Sequence, residues 1–158
     1  MKFGIISDTH GHLPGAVFRA LDGVDRIFHC GDVGDLALLD QLELIAPTLA
    51  VAGNVDAGGS RLPLARMERL GDLTVCVAHG HLLPGPAARR LDALLEMFRE
   101  QQPNLICYGH SHVYAEDWRE GILLLNPGSV FRSRGAVGPS LAVVEAEGGQ
   151  LLTRRIAV

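Results

Sequence analysis

The chain has 158 residues, 47% of them apolar and 20% charged, and 14 Lys+Arg against 18 Asp+Glu give a formal charge of -4. That size and composition predict one domain over residues 1–158 with a real core, and the acidic balance excludes a sequence-independent grip on long nucleic acid. Three cysteines with no Cys-x-x-Cys pair exclude a disulfide framework and a Cys-rich zinc site, and no apolar run reaches the roughly 18 residues that cross a membrane.

In chain order, Lys2 to Ser7 reads as a buried strand and Leu13 to Asp22 as a short helix opened by Pro14 and Gly15. Asp25 to Cys30 is a second strand. Asp35 is placed to cap a helix through Leu44 whose Leu38, Leu39 and Leu42 share a face. Thr48 to Ala52 is a third strand, followed by a glycine-rich loop over 53–60. This βαβαβ opening implies parallel strands joined by helical crossovers. Leu64 to Leu70 and Leu73 to Ala78 flank Gly71-Asp72 as a hairpin. A longer helix is expected over Pro86 to Gln101, with Leu91, Leu94, Leu95 and Phe98 as a stripe of core packing. Leu105 to Tyr108 is a further strand, and beyond Val113 the pattern becomes strand after strand: 113–118, 122–125, 141–145 and 151–156. Two packed sheets with helices outside follow from that division. The chain starts directly on a strand, with no basic-apolar-small leader, so a cytoplasmic protein is expected.

Five clusters of metal-liking residues punctuate the strands: Asp8-Thr9-His10, Gly31-Asp32, Gly53-Asn54-Val55-Asp56, His79-Gly80-His81 and Gly109-His110-Ser111-His112. Alone, each is weak; this composition would give about 0.4 Asp-x-His matches by chance. Gly-Asn-x-Asp and Gly-His-x-His are rarer, at about 0.02 and about 0.04 chance matches, and their ordered recurrence at strand ends is specific. Open α/β sheets assemble sites in this way, from strand ends distant in sequence. A mixed imidazole and oxygen set suits Mn, Fe, Ni or Zn better than Mg or Ca. With few carboxylates, two such ions keep a positive field that attracts a phosphate.

The ordered set Asp8-x-His10, Gly31-Asp32, Gly53-Asn54-x-Asp56, His79-Gly80 and Gly109-His110-x-His112 resembles the calcineurin-like metallophosphoesterase superfamily. The small size and Asn126-Pro127-Gly128-Ser129 resemble its compact YfcE-like prokaryotic branch. The resemblance implies a four-layer α/β/β/α sandwich of two mixed sheets flanked by helices. It implies two divalent transition-metal ions per chain, Mn foremost. Asp8, His10, Asp32 and His112 would hold one, and Asp32 would bridge to a second held also by Asn54, His79 and His110. It further implies hydrolysis of small phosphodiesters, and of monoesters as well, by a hydroxide bridging the metals, with no membrane partner and self-association left open. Asn54 would stabilise charge on the phosphoryl group, and Asp56 would serve catalysis by orienting the Asn54 loop. Larger phosphoprotein phosphatases of the superfamily carry a histidine where this chain has Val55, so no general acid is carried over there. The rival reading is a non-catalytic metal-binding scaffold of the same fold, as in the retromer subunit.

Other residues have plainer readings. His29, inside an apolar strand, reads as a hydrogen-bonded core histidine, and His12 and His81 as either supports for the ligands or loop residues. Asn126 to Ser129 is first a turn, and the resemblance suggests that this turn lies near the site. Arg132 and Arg134 read as a solvated loop that could reach a substrate phosphate.

Overall fold

The computed structural model describes residues 1–56 and 61–158. Its first half alternates β1 (Lys2–Ile6), α1 (Gly15–Ala20), β2 (Arg26–His29), α2 (Ala37–Glu43) and β3 (Thr48–Ala50). The hairpin β4 (Ala65–Leu70) and β5 (Leu73–Ala78) follows, then α3 (Ala87–Met97) and β6 (Leu105–Cys107). Strands β7 (Tyr114–Arg119), β8 (Ile122–Pro127), β9 (Ser140–Glu147) and β10 (Gln150–Ala157) complete the chain.

The strands form two mixed sheets, ordered β10-β9-β1-β2-β3 and β4-β5-β6-β8-β7. Within them β1, β2 and β3 run parallel, as do β5, β6 and β8. Alternation along each strand decides what faces what. Phe3, Ile5, Phe28 and Cys30 of the first sheet meet Val75, Val77, Leu105 and Leu123 of the second in the central core. The opposite face of the first sheet, Ile6 and Ile27, packs on Val17 of α1, Leu21 just after it, and Leu42 of α2. Cys76, Ile106 and Leu124 of the second pack on Leu91, Leu94 and Phe98 around α3. The result is the expected α/β/β/α sandwich. Gly4 sits under α1 because a Cβ there would overlap the Leu21 side chain.

Several expected boundaries move. The first helix shortens to six residues because Pro14 caps it and a turn begins at Leu21. Asp35 lies one residue before the N-cap Leu36, yet its carboxylate still accepts the Ala37 N–H at 3.0 Å. The helix expected to reach Gln101 ends at Met97 and tightens into a 3₁₀ turn over Arg99–Gln101, closed by left-handed Gln102. Strand β8 absorbs Asn126 and Pro127 because β7 continues to pair with it up to Tyr114↔Pro127. Part of the glycine-rich loop expected over 53–60 lies outside the described residues. Among the described residues no helix is long and apolar enough to cross a membrane.

The two parallel triplets point their C-terminal ends at one rim of the sandwich. The segments after β1, β2, β3, β5 and β6 carry the five clusters, so the topology alone brings them together.

Candidate metal centre

The clusters begin where the strands stop, and the backbone shows why. Asp8, His10, Asp32, His110 and His112 all have φ between +46° and +68°. That left-handed conformation costs an L-residue roughly 1–2 kcal/mol, with short polar side chains tolerating it best. It turns the chain off the strand and aims successive side chains at one point. The motif glycines supply room. A Cβ on Gly53 would overlap Asp32 Oδ1, and one on Gly109 would overlap Ser7 Oγ.

The first ligand set comprises Asp8, His10, Asp32 and His112, whose donor atoms all lie within 4.8 Å of one another. Asp8 Oδ1 stands 3.1 Å from His112 Nε2, and His10 Nε2 stands 3.2 Å from His112 Nε2. Except for half-exposed His10, these residues are buried. The second set centres on Asn54 Oδ1, which is 3.2 Å from His79 Nε2 and 3.1 Å from His110 Nδ1. Asp32 joins the two, its Oδ2 lying 3.4 Å from His79 Nε2 and 3.7 Å from His10 Nε2. All seven residues named from the sequence as ligands therefore converge.

The donors are prepared for a cation. Asp8 Oδ1 is buried and makes no hydrogen bond, while Oδ2 accepts the Ser7 hydroxyl at 2.6 Å and the His110 N–H at 3.2 Å. A buried carboxylate oxygen left unpaired among imidazole nitrogens is costly unless a positive charge meets it. Two imidazoles have their tautomers set from behind. His79 Nδ1 donates to the Cys30 carbonyl at 2.7 Å, and His112 Nδ1 to that of Arg132 at 2.7 Å. Each leaves an Nε2 lone pair directed at the cluster, the arrangement that orients histidine ligands. The mixed N/O set fits transition-metal ions.

Electrostatics agree with that geometry. Burial alone raises the Asp32 carboxyl, but His79, the Val55 N–H at 3.0 Å and His10 outweigh it and hold it at about 2. Burial pulls His79 down, and its contact with Asp32 and the charge of Asp8 more than reverse this. The Asp8 carboxylate raises His112. Burial lowers His110, which has no close carboxylate of its own.

Asp56 faces away from this cluster. Its Oδ2 accepts the Val33 and Gly53 N–H groups at 3.1 and 2.9 Å, and its Oδ1 accepts that of Gly34 at 2.9 Å. His29 is fully buried. It accepts the Gly31 N–H on Nδ1 at 3.2 Å, so Nε2 carries the proton and donates to Thr9 Oγ1 at 3.1 Å. Burial lowers its pKa to about 4. His12 is exposed, stacked on Phe131 with ring centroids 3.9 Å apart. His81 is half-buried, with its Nδ1 lacking a partner among the described residues.

Three residues have supporting roles that sequence reasoning missed, although the turn holding Asn126 and Ser129 was expected near the site. Ser7 holds Asp8 Oδ2, Ser129 donates to the Asp8 carbonyl at 2.8 Å, and Asn126 donates to the Gly109 carbonyl at 2.8 Å. Ser129 also accepts the N–H groups of Phe131 and Arg132, so the turn read first as punctuation fastens the loop whose carbonyl orients His112. The signals available were the position of Ser7 directly before Asp8 and the Asn126-Pro127-Gly128-Ser129 motif. Arg132 and Arg134 are exposed and line a cleft of about 820 Å³ beside His10 and His112.

The chain is similar to known proteins along most of its length. The model of the calcineurin-like phosphoesterase superfamily domain matches residues 1–149. A probable metallophosphoesterase of Methanocaldococcus jannaschii is 40% identical over 135 residues, covering 82% of this chain and 68% of its own. The crystal structure of a predicted phosphoesterase from Streptococcus pneumoniae is similar at a TM-score of 0.81 and 26% identity, covering 99% of this chain and 88% of that one. Vps29 of Entamoeba histolytica, solved with Zn²⁺, has a TM-score of 0.80 at 20% identity over 99% of this chain and 98% of its own, a likeness of fold alone.

Proposed function

The chain belongs to the calcineurin-like phosphoesterase superfamily, and on that premise we propose that it hydrolyses small phosphodiesters, with monoesters as secondary substrates, at two divalent transition-metal ions, Mn²⁺ foremost. The observation that carries this reading is the placement of Asp32, one carboxylate oxygen facing His10 of one ligand set and His79 of the other. A pair of ions held there would supply an activated water and a clamp on a phosphoryl oxygen.

The chain's own residues then have distinct tasks. Asp8, His10, Asp32 and His112 hold one ion; Asp32, Asn54, His79 and His110 hold the other. The exposed Asn54 amide also stands where it can meet charge developing on a phosphoryl oxygen. Asp56 ties the Asn54 loop to the Asp32 loop through three backbone N–H groups, which makes it a positioning residue rather than a participant in proton transfer. Val55 offers its N–H to Asp32 and an apolar side chain to solvent, so it protonates no leaving group. Esters with good leaving groups are therefore the preferred substrates. The cleft beside His10 and His112, with Arg132 and Arg134 on its wall, gives an anionic ester a way in. A cytoplasmic setting suits this chemistry.

The test is hydrolysis of an aryl phosphodiester by the protein stripped with chelator and reloaded with Mn²⁺, alongside elemental analysis. Restored turnover with two ions per chain supports the reading. Two ions bound with no turnover of any diester or monoester would establish the scaffold reading instead, and fewer than two would break the dinuclear assignment.

A further inference from the structure

A cavity of about 400 Å³ opens behind His110, between α3 and the second sheet. Its walls include Leu83, Leu91, Leu94, Tyr108 and Ala115, with Arg90 on the α3 side and, on β7, Asp117, whose carboxylate accepts Arg119 Nε at 3.1 Å. The stripe on α3 expected to serve only as core packing thus has a second role. Leu91 and Leu94 close the core over Ile106 and Leu124 and also line an open space. The volume falls among clefts that bind small molecules, which run from roughly 300 to 1,000 Å³. No step of metal-centred hydrolysis uses it.

The cavity adjoins the candidate metal centre. His110, Gly80 and Gly109 line it, and these residues lie in the loops that carry the second ligand set. An ester whose phosphoryl group rests against Asn54 and His110 has this space beside it, past the His110 ring. The lining says what kind of arm fits. Leucine and alanine walls favour an apolar group. Arg90 is tethered by its Nε to the Gly85 carbonyl at 2.9 Å, and a guanidinium held on one side of an apolar slot favours the face of an aromatic ring. Tyr108, also on the wall, adds an aromatic surface with a polar tip beside such a ring.

We propose that this cavity is a specificity subsite that receives an aromatic ring, of phenyl to nucleobase size, carried on one arm of the phosphoester. The inference rests on the phosphoester reading above and deepens it.

Calorimetry on the Mn²⁺-loaded protein with phenyl-, butyl- and methylphosphonate tests the subsite without turnover. Phenylphosphonate should bind at least about tenfold tighter than methylphosphonate, and clearly tighter than butylphosphonate. The phenyl compound alone should shift the methyl resonances of Leu83, Leu91 and Leu94 by its ring current. Ala115→Trp fills the cavity from β7 and Leu83→Trp from the loop before α3, so a folding failure in one leaves the other. Each should bring the phenyl-to-methyl ratio to within about twofold of unity. A wild-type ratio near one, a ratio that survives the Trp variants, or butyl binding as tight as phenyl overturns the aromatic subsite and leaves the hydrolase reading standing. If no phosphonate binds the loaded protein, the phosphoester reading falls and the subsite falls with it.

Discussion

The two proposed ligand sets share one aspartate and otherwise differ. The first is built from two carboxylates and two imidazoles, and all but His10 are buried. The second adds only neutral donors to Asp32, and its Asn54 is exposed and His110 half-exposed. Binding strength and openness therefore separate. The first set has the charge to keep an ion. The second, on the proposed reading, would have the exposure to let a substrate oxygen take part in its coordination. A site that retained metal and exchanged substrate, as proposed, would benefit from that division, because each half has what the other lacks.

Asp32→Asn should erase the difference, since both sets depend on that carboxylate. Metal content should fall toward zero and turnover by at least about a thousandfold. Elemental analysis and kinetics check this, and retention of one full ion per chain would show that Asp32 serves a single set. His110→Gln should instead expose the asymmetry. About one ion per chain should remain, with turnover down about a hundredfold. Loss of both ions in that variant would mean that the sets are not separable. Ser129→Ala releases the Asp8 carbonyl and the loop that orients His112, and should weaken metal affinity about tenfold in a chelator competition. If the affinity is unchanged, the Ser129 turn plays no part in holding the site.

Metal binding should also depend on pH. The Asp8 carboxylate raises His112, and a raised group favours the metal-free fold while protonated. Coordination needs the neutral ring, so apparent metal affinity should increase as pH rises through the His112 titration. His29 has the opposite sign and touches neither set. Folded, it takes a proton only near pH 4; unfolded, it takes one near the ordinary 6.5. Between those values the unfolded chain holds more protons, so stability present above the window is lost as pH falls through it. The loss amounts to about 2 kcal/mol between pH 7 and pH 5. His29→Gln should leave metal content near wild type while flattening that slope in urea midpoints. An unaltered slope would place the titration elsewhere.

The candidate ligands were legible because chemistry and position coincide in them. Asp32, His79 and His110 are metal-liking types placed next to glycines at the ends of apolar runs. The supports are of another kind. Ser129 reaches Asp8 across 121 positions of sequence, and serine is too common for its type to mark it. The carbonyls of Cys30 and Arg132 that set the His79 and His112 tautomers have no sequence signature at all. The cavity beside His110 was hidden for a related reason, because a leucine stripe looks the same whether its neighbours fill the space or leave part of it open. Strand β8 ran longer than its apolar run because its end is decided by pairing with β7 and not by its own residues.

The left-handed backbone at five ligand positions has a consequence for how such a site can be lost. Glycine fits those φ values more comfortably than the aspartates and histidines that occupy them. Alanine or a β-branched residue would keep the strain and forfeit the coordination that repays it. Drift away from metal binding therefore has a narrow set of comfortable exits, toward glycine and asparagine. In a descendant of this chain, glycine or asparagine at positions 8, 10, 32, 110 and 112 would mark a centre abandoned while its sandwich was kept.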